Sequence, residues 1–231
     1  MILTIDNVLS GEELSEVRSL LARATWTNGD VSAGPIAAIV KNNQQLAESD
    51  PRLIELREVI LKALHRSALF FAAALPLKIL PPQFNRYQGR ENHYGFHTDN
   101  AMRRAPDRTG GYVRSDVSAT LFLGDPAEYD GGELTVVDTF GTHGFKLAAG
   151  SLLLYPSSSV HAVAAVSRGE RLACFMFIQS MVRDAEKRRL LYDMDMALLA
   201  LRAAGDERVP NEPVMRLTGT YHNLLRRWAE A

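Results

Sequence analysis

Short β-type segments separated by turn-forming residues fill the middle of this 231-residue chain, from about Ile79 to Val182. Each segment is rich in β-branched, aromatic or aliphatic residues, and the gaps between segments contain Gly, Pro, Asp and Ser. The five clearest segments are Val117–Leu123, Glu133–Asp138, Ser151–Tyr155, Val160–Val166 and Arg171–Met181. No long helical pattern follows any of them within this region, so the sequence predicts an all-β sandwich or barrel rather than a parallel α/β sheet.

Helical patterns flank the β-rich region on both sides. Ser10 begins a capping box, and Asp50-Pro51 puts a capping acid and a proline at the start of a second helix. Apolar residues at helical spacing over Leu190–Leu198 predict a third helix, and Pro213 begins a fourth. We therefore predict a mainly β fold with flanking helices.

Composition excludes several classes of protein. The 26 Lys and Arg residues balance 27 Asp and Glu residues, so the chain has no excess positive charge with which to bind nucleic acid or anionic lipid. The longest apolar segment, Ala68–Leu77, is shorter than the roughly 18 residues that a membrane-spanning helix needs. The N-terminus lacks the basic start of a secretory signal, and Cys174 is the single cysteine. We expect a cytoplasmic protein with neither a membrane nor a nucleic-acid partner.

The triplet His97-Thr98-Asp99 has a spacing that suits a metal site in an extended strand. Residues i and i+2 of a strand point to the same side, so the His97 imidazole and the Asp99 carboxylate would converge. His161, at the start of a later β-type segment, could supply a second nitrogen. Two nitrogens and one oxygen on one face of an ion suit non-heme Fe(II) and leave three positions open. The alternative is a surface strand with a polar side.

Arg171 follows His161 by ten residues, beyond the turn at Ser167–Glu170. A hairpin at this turn would return Arg171 alongside the strand of His161, at an offset on the order of 10 Å. A dicarboxylate held by the metal at one end could then reach the guanidinium, which can donate two parallel hydrogen bonds to a carboxylate. The alternative is an exposed hairpin arginine.

Further segments extend these motifs over nearly the whole chain. They are Asn85–Gly89, Tyr129–Leu134, Arg168–Leu172 and Phe177–Asp184. Together with the H-x-D triplet, they resemble the Fe(II)/2-oxoglutarate dioxygenases of the prolyl/lysyl hydroxylase class. The last two segments are similar to the bacterial PKHD-type hydroxylases, a group often linked to iron uptake.

The resemblance implies a double-stranded β-helix, or jelly roll, with N-terminal helices over residues 1–182. A C-terminal helical extension would follow over residues 183–231. The implied activity is that of a dioxygenase that uses Fe(II), 2-oxoglutarate as cosubstrate and O2. Such an enzyme hydroxylates a C–H bond and releases succinate and CO2, and L-ascorbate can serve it as a reductant.

The resemblance also implies a role for each candidate site residue. Iron would be bound by His97, Asp99 and His161. Arg171 would bind the distal carboxylate of 2-oxoglutarate, and Tyr87 would donate a hydrogen bond to the same carboxylate. Many relatives carry a serine two residues after the arginine, where this chain has Ala173. One hydrogen bond to the cosubstrate is therefore expected to be absent or to come from another residue.

The segment Asn100–Ser115 follows Asp99 directly and is rich in arginine. Its four arginines are Arg103, Arg104, Arg108 and Arg114. A loop of this length beside a site is often a lid, and a lid of this composition would favour an acidic substrate. The alternative is a solvated basic loop.

The sequence leaves the substrate and some functions open. A peptidyl proline or lysine, a free amino acid and an iron-chelating small molecule are all compatible with it. A non-catalytic jelly roll that senses iron or 2-oxoglutarate is the main alternative, and the intact ligand set together with Arg171 favours the enzyme. The C-terminal helices offer a third role, in binding a partner or forming a homodimer.

Overall fold

A computed structural model of the protein describes residues 1–32, 34–105, 111–204 and 212–230. Helices lie mainly toward the two ends of the chain, as predicted. The helices of these residues are α1 (Gly11–Leu21), α2 (Pro35–Ile39), α3 (Arg52–Arg66), α4 (Ala68–Ala74), α5 (Ala185–Ala204) and α6 (Glu212–Trp228). Within the described ranges, no helix combines the length and apolar character needed to cross a membrane.

Strands occupy most of the middle of the chain. They are β1 (Leu3–Ile5), β2 (Trp26–Asn28), β3 (Lys41–Asn42), β4 (Gln44–Leu46), β5 (Pro76–Ile79), β6 (Gln83–Tyr87), β7 (His93–His97), β8 (Met102–Arg104), β9 (Tyr112–Arg114), β10 (Val117–Phe122), β11 (Tyr129–Gly131), β12 (Leu134–Asp138), β13 (Gly141–Phe145), β14 (Leu152–Pro156), β15 (Val160–Val163), β16 (Val166–Gly169) and β17 (Arg171–Ser180). The predicted segments correspond to β10, β12, β14, β15 and β17, with boundaries that differ by a few residues.

Two antiparallel sheets form the body of the protein. The large, eight-stranded sheet has the order β1-β14-β10-β17-β6-β4-β2, and β5 also pairs with β17. The small, five-stranded sheet has the order β13-β12-β15-β7-β3. Two further pairs, β11 with β16 and β8 with β9, lie outside these sheets. The expected mainly β architecture with flanking helices is confirmed.

The two faces of the large sheet pack against different partners. Cys174 and Met176 of β17 belong to the main hydrophobic core, which the sheet forms with apolar residues of α1, α3 and α4. Side chains alternate across a strand, so Arg171, Phe175 and Phe177 point the other way, into a cavity between the sheets. The helices thus cover the outer face of the large sheet and leave its inner face for a site.

The N-terminal helices begin close to their predicted positions. The Ser10 hydroxyl accepts from the Glu13 N–H, and the Glu13 carboxylate accepts from the Ser10 N–H, which completes the capping box. The second of the predicted helices corresponds to α3, which begins at Arg52, one residue later than predicted. The Asp50 carboxylate accepts from the backbone N–H groups of Arg52 and Thr25, so it joins the helix start to the preceding segment.

The C-terminal helices pack together and attach to the large sheet. Leu191 and Leu198 of α5 and Tyr221 of α6 share a small apolar core with Leu75 and Val182. At the end of the chain, the backbone N–H of residue 230 donates to the carbonyl of residue 181. The helical extension is therefore anchored where β17 ends.

The predicted hairpin that would return Arg171 alongside the strand of His161 is wrong. The segment Val160–Val166 divides between β15, in the small sheet, and β16, which pairs with β11. After the turn, β17 pairs with β10 and β6 of the large sheet. Arg171 therefore enters the cavity from the sheet opposite to His161.

The described residues of the arginine-rich segment include two short paired strands. Strands β8 and β9 pair antiparallel, with Arg103 opposite Val113. Arg114 at the end of β9 donates to Asp116 at 2.7 Å, while Arg104 is exposed. Arg108 lies outside the described residues. Of the predicted lid, the structure thus describes the paired strands β8 and β9.

Candidate active site

A cavity lies between the two sheets. Strands β7 and β15 of the small sheet line one side, and β6, β10 and β17 of the large sheet line the other. All five site residues predicted from the sequence line this cavity: Tyr87, His97, Asp99, His161 and Arg171.

His97 and His161 face each other across neighbouring strands. They are register partners in the antiparallel pairing of β7 with β15, and their ring centres are 4.2 Å apart. The His97 Nδ1 lies 2.8 Å from the carbonyl oxygen of Gly95, and the His161 Nδ1 lies 3.0 Å from that of Ser159. Donation from Nδ1 to a carbonyl leaves each Nε2 with a free lone pair, as metal-binding imidazoles require.

Asp99 completes the three-residue cluster just beyond the end of β7. One potential ligand atom from each of His97, Asp99 and His161 lies within 4.8 Å of the other two. The Ser118 hydroxyl donates to the Asp99 Oδ2 at 2.6 Å and also contacts the Ser157 hydroxyl at 2.8 Å. These contacts fix the carboxylate so that two nitrogens and one oxygen converge, an arrangement that can hold one divalent ion.

The surroundings of His97 favour its neutral form. Burial of the imidazole, followed by the charge of nearby His161 when protonated, lowers the pKa of His97 to about 4. The Tyr94 ring stacks on the His97 ring at a centroid distance of 3.6 Å. A neutral imidazole is the form that binds metal, so His97 could bind a metal ion at physiological pH without first losing a proton.

Arg171 is a buried cation at the other side of the cavity. Only 1% of its surface is exposed, and none of its three guanidinium nitrogens has a hydrogen-bond partner among the residues that the structure describes. The guanidinium carbon lies 5.1 Å from the Tyr87 ring centre and 5.3 Å from that of Phe122. A buried charge without partners is costly, so this group is arranged for an anion that enters the cavity.

Tyr87 lies beside Arg171 because the two are register partners on β6 and β17. Burial raises the pKa of Tyr87 although the nearby Arg171 charge opposes this effect, and the phenol therefore stays protonated. Its hydroxyl lies 3.3 Å from the Asn85 side-chain nitrogen. A protonated phenol and a guanidinium side by side present donors to one anionic group.

The Gly-Gly turn in the segment Tyr129–Leu134 makes room for this arginine. Gly132 has a φ of +71°, which L-amino acids with a side chain rarely adopt. A Cβ at this position would lie 3.0 Å from the Arg171 Cδ and 3.0 Å from a ring carbon of Tyr129. Glycine is required here because the backbone turns directly against the Arg171 side chain.

Sequence reasoning missed several residues that shape the site. They are Lys41, Asn85, Ser118 and Tyr155, all of which line the cavity. Lys41 lies in a strand of only two residues, which gives no periodic signal. Ser118 was detectable in principle as a polar position inside an otherwise apolar predicted strand, although its partner Asp99 is 19 residues away.

Family comparisons match two parts of the chain. Residues 82–179 match the model of the 2OG-Fe(II) oxygenase superfamily, and residues 185–230 match the PKHD-type hydroxylase C-terminal domain. The chain is 64% identical to PKHD-type hydroxylases of Nitrosomonas europaea and of Azoarcus sp., with 100% of both proteins covered in each comparison. A PKHD-type hydroxylase of Saccharophagus degradans is 50% identical, again with 100% of both chains covered.

Solved structures share the architecture at low sequence identity. A prolyl hydroxylase from Trichoplax adhaerens, in complex with a hypoxia inducible factor peptide fragment, matches with a TM-score of 0.57 at 17% identity, covering 82% of this chain and 86% of that one. HygX from Streptomyces hygroscopicus, with nickel and 2-oxoglutarate bound, matches with a TM-score of 0.53 at 15% identity, covering 78% and 82%. The predicted jelly-roll fold is confirmed by these similarities.

Proposed function

Because the chain belongs to the PKHD-type hydroxylases of the 2OG-Fe(II) oxygenase superfamily, we propose that it hydroxylates a C–H bond of a small-molecule or peptidyl substrate. The class of enzyme follows from the family: a dioxygenase that depends on Fe(II), 2-oxoglutarate and O2. The observation that carries the proposal is a buried, unpaired Arg171 guanidinium in the same cavity as a convergent His-Asp-His cluster.

We assign metal binding to His97, Asp99 and His161. Both imidazoles have Nδ1 within reach of a backbone carbonyl, and the carboxylate accepts from Ser118, so all three side chains are oriented before a metal arrives. The donor set is the two-histidine, one-carboxylate combination that suits Fe(II) and leaves positions for other ligands. The bound iron, with 2-oxoglutarate and O2, supplies an oxidant that the protein's own side chains cannot provide.

We assign the distal carboxylate of 2-oxoglutarate to Arg171 and Tyr87. The guanidinium can donate two parallel hydrogen bonds, and the protonated phenol can donate a third. Ala173, which replaces the serine of many relatives, pairs in register with Asn85 of β6. Asn85 lines the cavity and is 8% exposed. We infer that the amide of Asn85 takes over the hydrogen bond that a serine would make.

The protein's own contribution is binding, orientation and exclusion of water. Tyr155 packs edge-on against His161 with ring centres 5.0 Å apart, and Tyr94 stacks on His97. These rings shield the metal cluster and keep the imidazoles in place. Phe175 and Phe177 of the large sheet add aromatic surface to the same cavity.

Other features of the function stay predictions. They include a link to iron uptake or homeostasis, use of L-ascorbate, a cytoplasmic location, homodimer formation through the C-terminal helices, and division of the chain at residues 182 and 183. We infer that the substrate is not a nucleic acid, since the chain has a net charge of -1.

Turnover of 2-oxoglutarate tests the proposal. Purified protein with Fe(II) and O2 should convert 2-oxoglutarate to succinate, and a screen of peptides, amino acids and iron-chelating compounds should give a product heavier by one oxygen atom. The variants His97→Ala, Asp99→Ala and His161→Ala should lose succinate formation while keeping the fold. His143 lies outside the cavity and pairs with Asp138, so His143→Ala is the matched control and should keep succinate formation.

Two results would contradict the proposal. Undiminished succinate formation by His161→Ala would reject the metal assignment. Tight binding of iron and 2-oxoglutarate without any succinate formation would instead indicate the sensor function. Circular dichroism of each variant separates loss of the site from loss of the fold.

A further inference from the structure

Two more cations, Lys41 and Arg103, lie in the cavity at a distance from Arg171. This distance can be estimated from the inward-facing residues of β17, because they follow each other along one strand. The Lys41 Nζ lies 5.9 Å from the ring centre of Phe175, and the Arg103 Cζ lies 3.5 Å from that of Phe177. At about 3.4 Å per residue, Phe175 is roughly 14 Å and Phe177 roughly 20 Å along the strand from Arg171.

The cosubstrate assigned above is too short to occupy both ends of this cavity. The four carbon–carbon bonds of 2-oxoglutarate, at about 1.5 Å each, span less than about 7 Å. A molecule anchored on Arg171 and on the metal therefore leaves the end near Phe177 to another ligand. This end contains Lys41 and Arg103.

Both cations are withdrawn from solvent. Lys41 is 9% exposed, and its Nζ donates to the neutral amide oxygen of Gln45 at 3.3 Å while lying 5.3 Å from the Tyr94 ring centre. The Arg103 side chain is 20% exposed and lies over the Phe177 ring, and its Nε is buried without a hydrogen-bond partner among the residues that the structure describes. Aromatic faces stabilise cations but leave the edge of a guanidinium free to donate.

The acidic residue that contacts Arg103 is also an assigned metal ligand. Asp99 is the single acidic residue among the described residues that line the cavity, and an Arg103 nitrogen lies 3.5 Å from its Oδ1. When the site is loaded, the charges of Fe(II) and Arg171 are balanced by Asp99 and by the two carboxylates of 2-oxoglutarate. Lys41 and Arg103 add positive charge to the lining, and no further acidic residue stands among the described lining residues, which favours an incoming anion.

Lys41 keeps its charge at neutral pH. Burial, followed by repulsion from Arg103, lowers the pKa of Lys41 to about 8, while Asp30 and Asp99 act in the opposite direction. Asp30 is exposed and lies outside the cavity lining. A protonated Lys41 therefore contributes a positive charge to the cavity under physiological conditions.

We propose that Lys41 and Arg103 form a subsite for a carboxylate of the substrate, next to the metal cluster and opposite the 2-oxoglutarate site. The proposal rests on the proposed function only in placing the cosubstrate at the Arg171 end of the cavity and the metal between the cosubstrate and the subsite. A carboxylate is the anion that we favour, because a guanidinium presents a planar fork of donors that matches a planar carboxylate. The substrate class is therefore a carboxylate-bearing molecule, or a peptide with an acidic residue beside the hydroxylated position.

Matched acid and amide probes test this subsite. Wild-type protein loaded with Zn(II) and 2-oxoglutarate, which cannot turn over, is titrated with N-acetylalanine and its amide, and with the N-acetyl amides of aspartate and glutamate against those of asparagine and glutamine. Ligand-observed NMR reports binding. We expect at least one acid to bind roughly ten- to a hundredfold more tightly than its amide partner. The first pair probes an α-carboxylate and the others a side-chain carboxylate.

Variants at Lys41 and Arg103 test whether these two cations cause the tighter binding of acids. Lys41→Met and Arg103→Gln should each reduce the preference for acids by about tenfold or more, and Lys41→Gln serves if the first variant does not fold. Arg104→Gln, an exposed neighbour on the same strand, is the control and should keep the preference. Equal binding of acids and amides, failure of every acid to bind, or a preference that survives both variants would overturn the proposal.

Two further measurements separate this inference from the proposed function. Succinate formation by wild-type protein without the acid preference would reject the subsite and leave the enzyme assignment intact. A tenfold or greater loss of 2-oxoglutarate affinity in Lys41→Met would assign the cations to the cosubstrate and would also overturn the subsite. Absence of both 2-oxoglutarate binding and succinate formation would reject the proposed function itself.

Discussion

Arg171 and Tyr87 lie directly opposite each other on two neighbouring strands of the large sheet, with the guanidinium carbon 5.1 Å from the centre of the phenol ring. This pair is buried to 1% exposure on both residues, yet the guanidinium has no hydrogen-bond partner among the described residues. The fold therefore buries a charged group without a hydrogen-bond partner among these residues, which supports the proposal that Arg171 binds an anionic ligand.

Replacing this arginine should have opposite effects on binding and stability. Arg171→Met should weaken 2-oxoglutarate roughly thirty- to several-thousand-fold, because one partner of a buried charged pair is lost. The same variant should raise the free energy of unfolding of the ligand-free protein by roughly 1–4 kcal/mol, because an unpaired buried charge is removed. Anaerobic titration of the Fe(II) protein and urea unfolding measure the two effects. Unchanged 2-oxoglutarate affinity would mean that another cation holds the cosubstrate.

Ser118 should tune metal binding without touching the metal. Its hydroxyl donates to Asp99 at 2.6 Å, so Ser118→Ala should free the carboxylate to rotate and weaken metal affinity roughly ten- to a hundredfold. Ser157→Ala, which removes only the contact behind Ser118, should have a smaller effect. Competition with a chelator for Co(II) or Fe(II) gives both affinities. An equal loss in the two variants would show that the serine pair acts as one structural unit.

Gly132 should be essential for the position of Arg171. Gly132→Ala forces a side chain into a positive-φ conformation, which costs roughly 1–2 kcal/mol, and places its Cβ 3.0 Å from the Arg171 Cδ. Gly89→Ala is the matched control, since Gly89 has a φ of +57° but open space around its Cβ position. Both variants should lose stability, but only Gly132→Ala should also lose 2-oxoglutarate affinity. Equal affinities in the two variants would show that the arginine tolerates the added methyl group.

Asp50 should stabilise the fold in a pH-dependent manner. Burial alone would raise the pKa of Asp50, but hydrogen bonds from Thr25 and Arg52 and the Arg52 charge together lower it below its ordinary value of 3.8. A carboxyl with a lowered pKa in the folded state stabilises the protein above its unfolded pKa and loses this contribution as the pH falls through the folded value. Asp50→Asn should cost about 1–3 kcal/mol at pH 7.

Unfolding measured between pH 8 and pH 3 checks this expectation. The difference between Asp50→Asn and wild type should be constant down to about pH 5 and should shrink as the pH falls below 3.8. Asp130→Asn, in an exposed ion pair with Arg168, is the control and should change stability little at any pH. A difference that persists unchanged at the lowest pH would show that the Asp50 charge is irrelevant.

Local patterns in the sequence determined which parts of the chain become strands and which become helices. Alternating apolar residues and turn signals predicted most of the core strands, and the capping box at Ser10 placed the first helix, because such patterns depend on neighbours a few residues apart. The H-x-D triplet was predictive for the same reason: His97 and Asp99 are close in the chain. His161 and Arg171 were identified through residue type and family resemblance.

Only the tertiary structure decided which sheet each strand joins, and with it the direction from which each group enters the cavity. The predicted hairpin placed Arg171 beside His161, whereas β17 in fact joins the opposite sheet, because pairing between strands distant in sequence outweighs the local turn. Lys41 shows the same limit. It lies in a two-residue strand with no periodic pattern, and its burial arises because β3 pairs with β7 and brings Lys41 opposite Tyr94. The sequence determines charge and residue type. Burial and proximity come from long-range strand pairing, and it is burial and proximity that make Lys41 a candidate ligand-binding group.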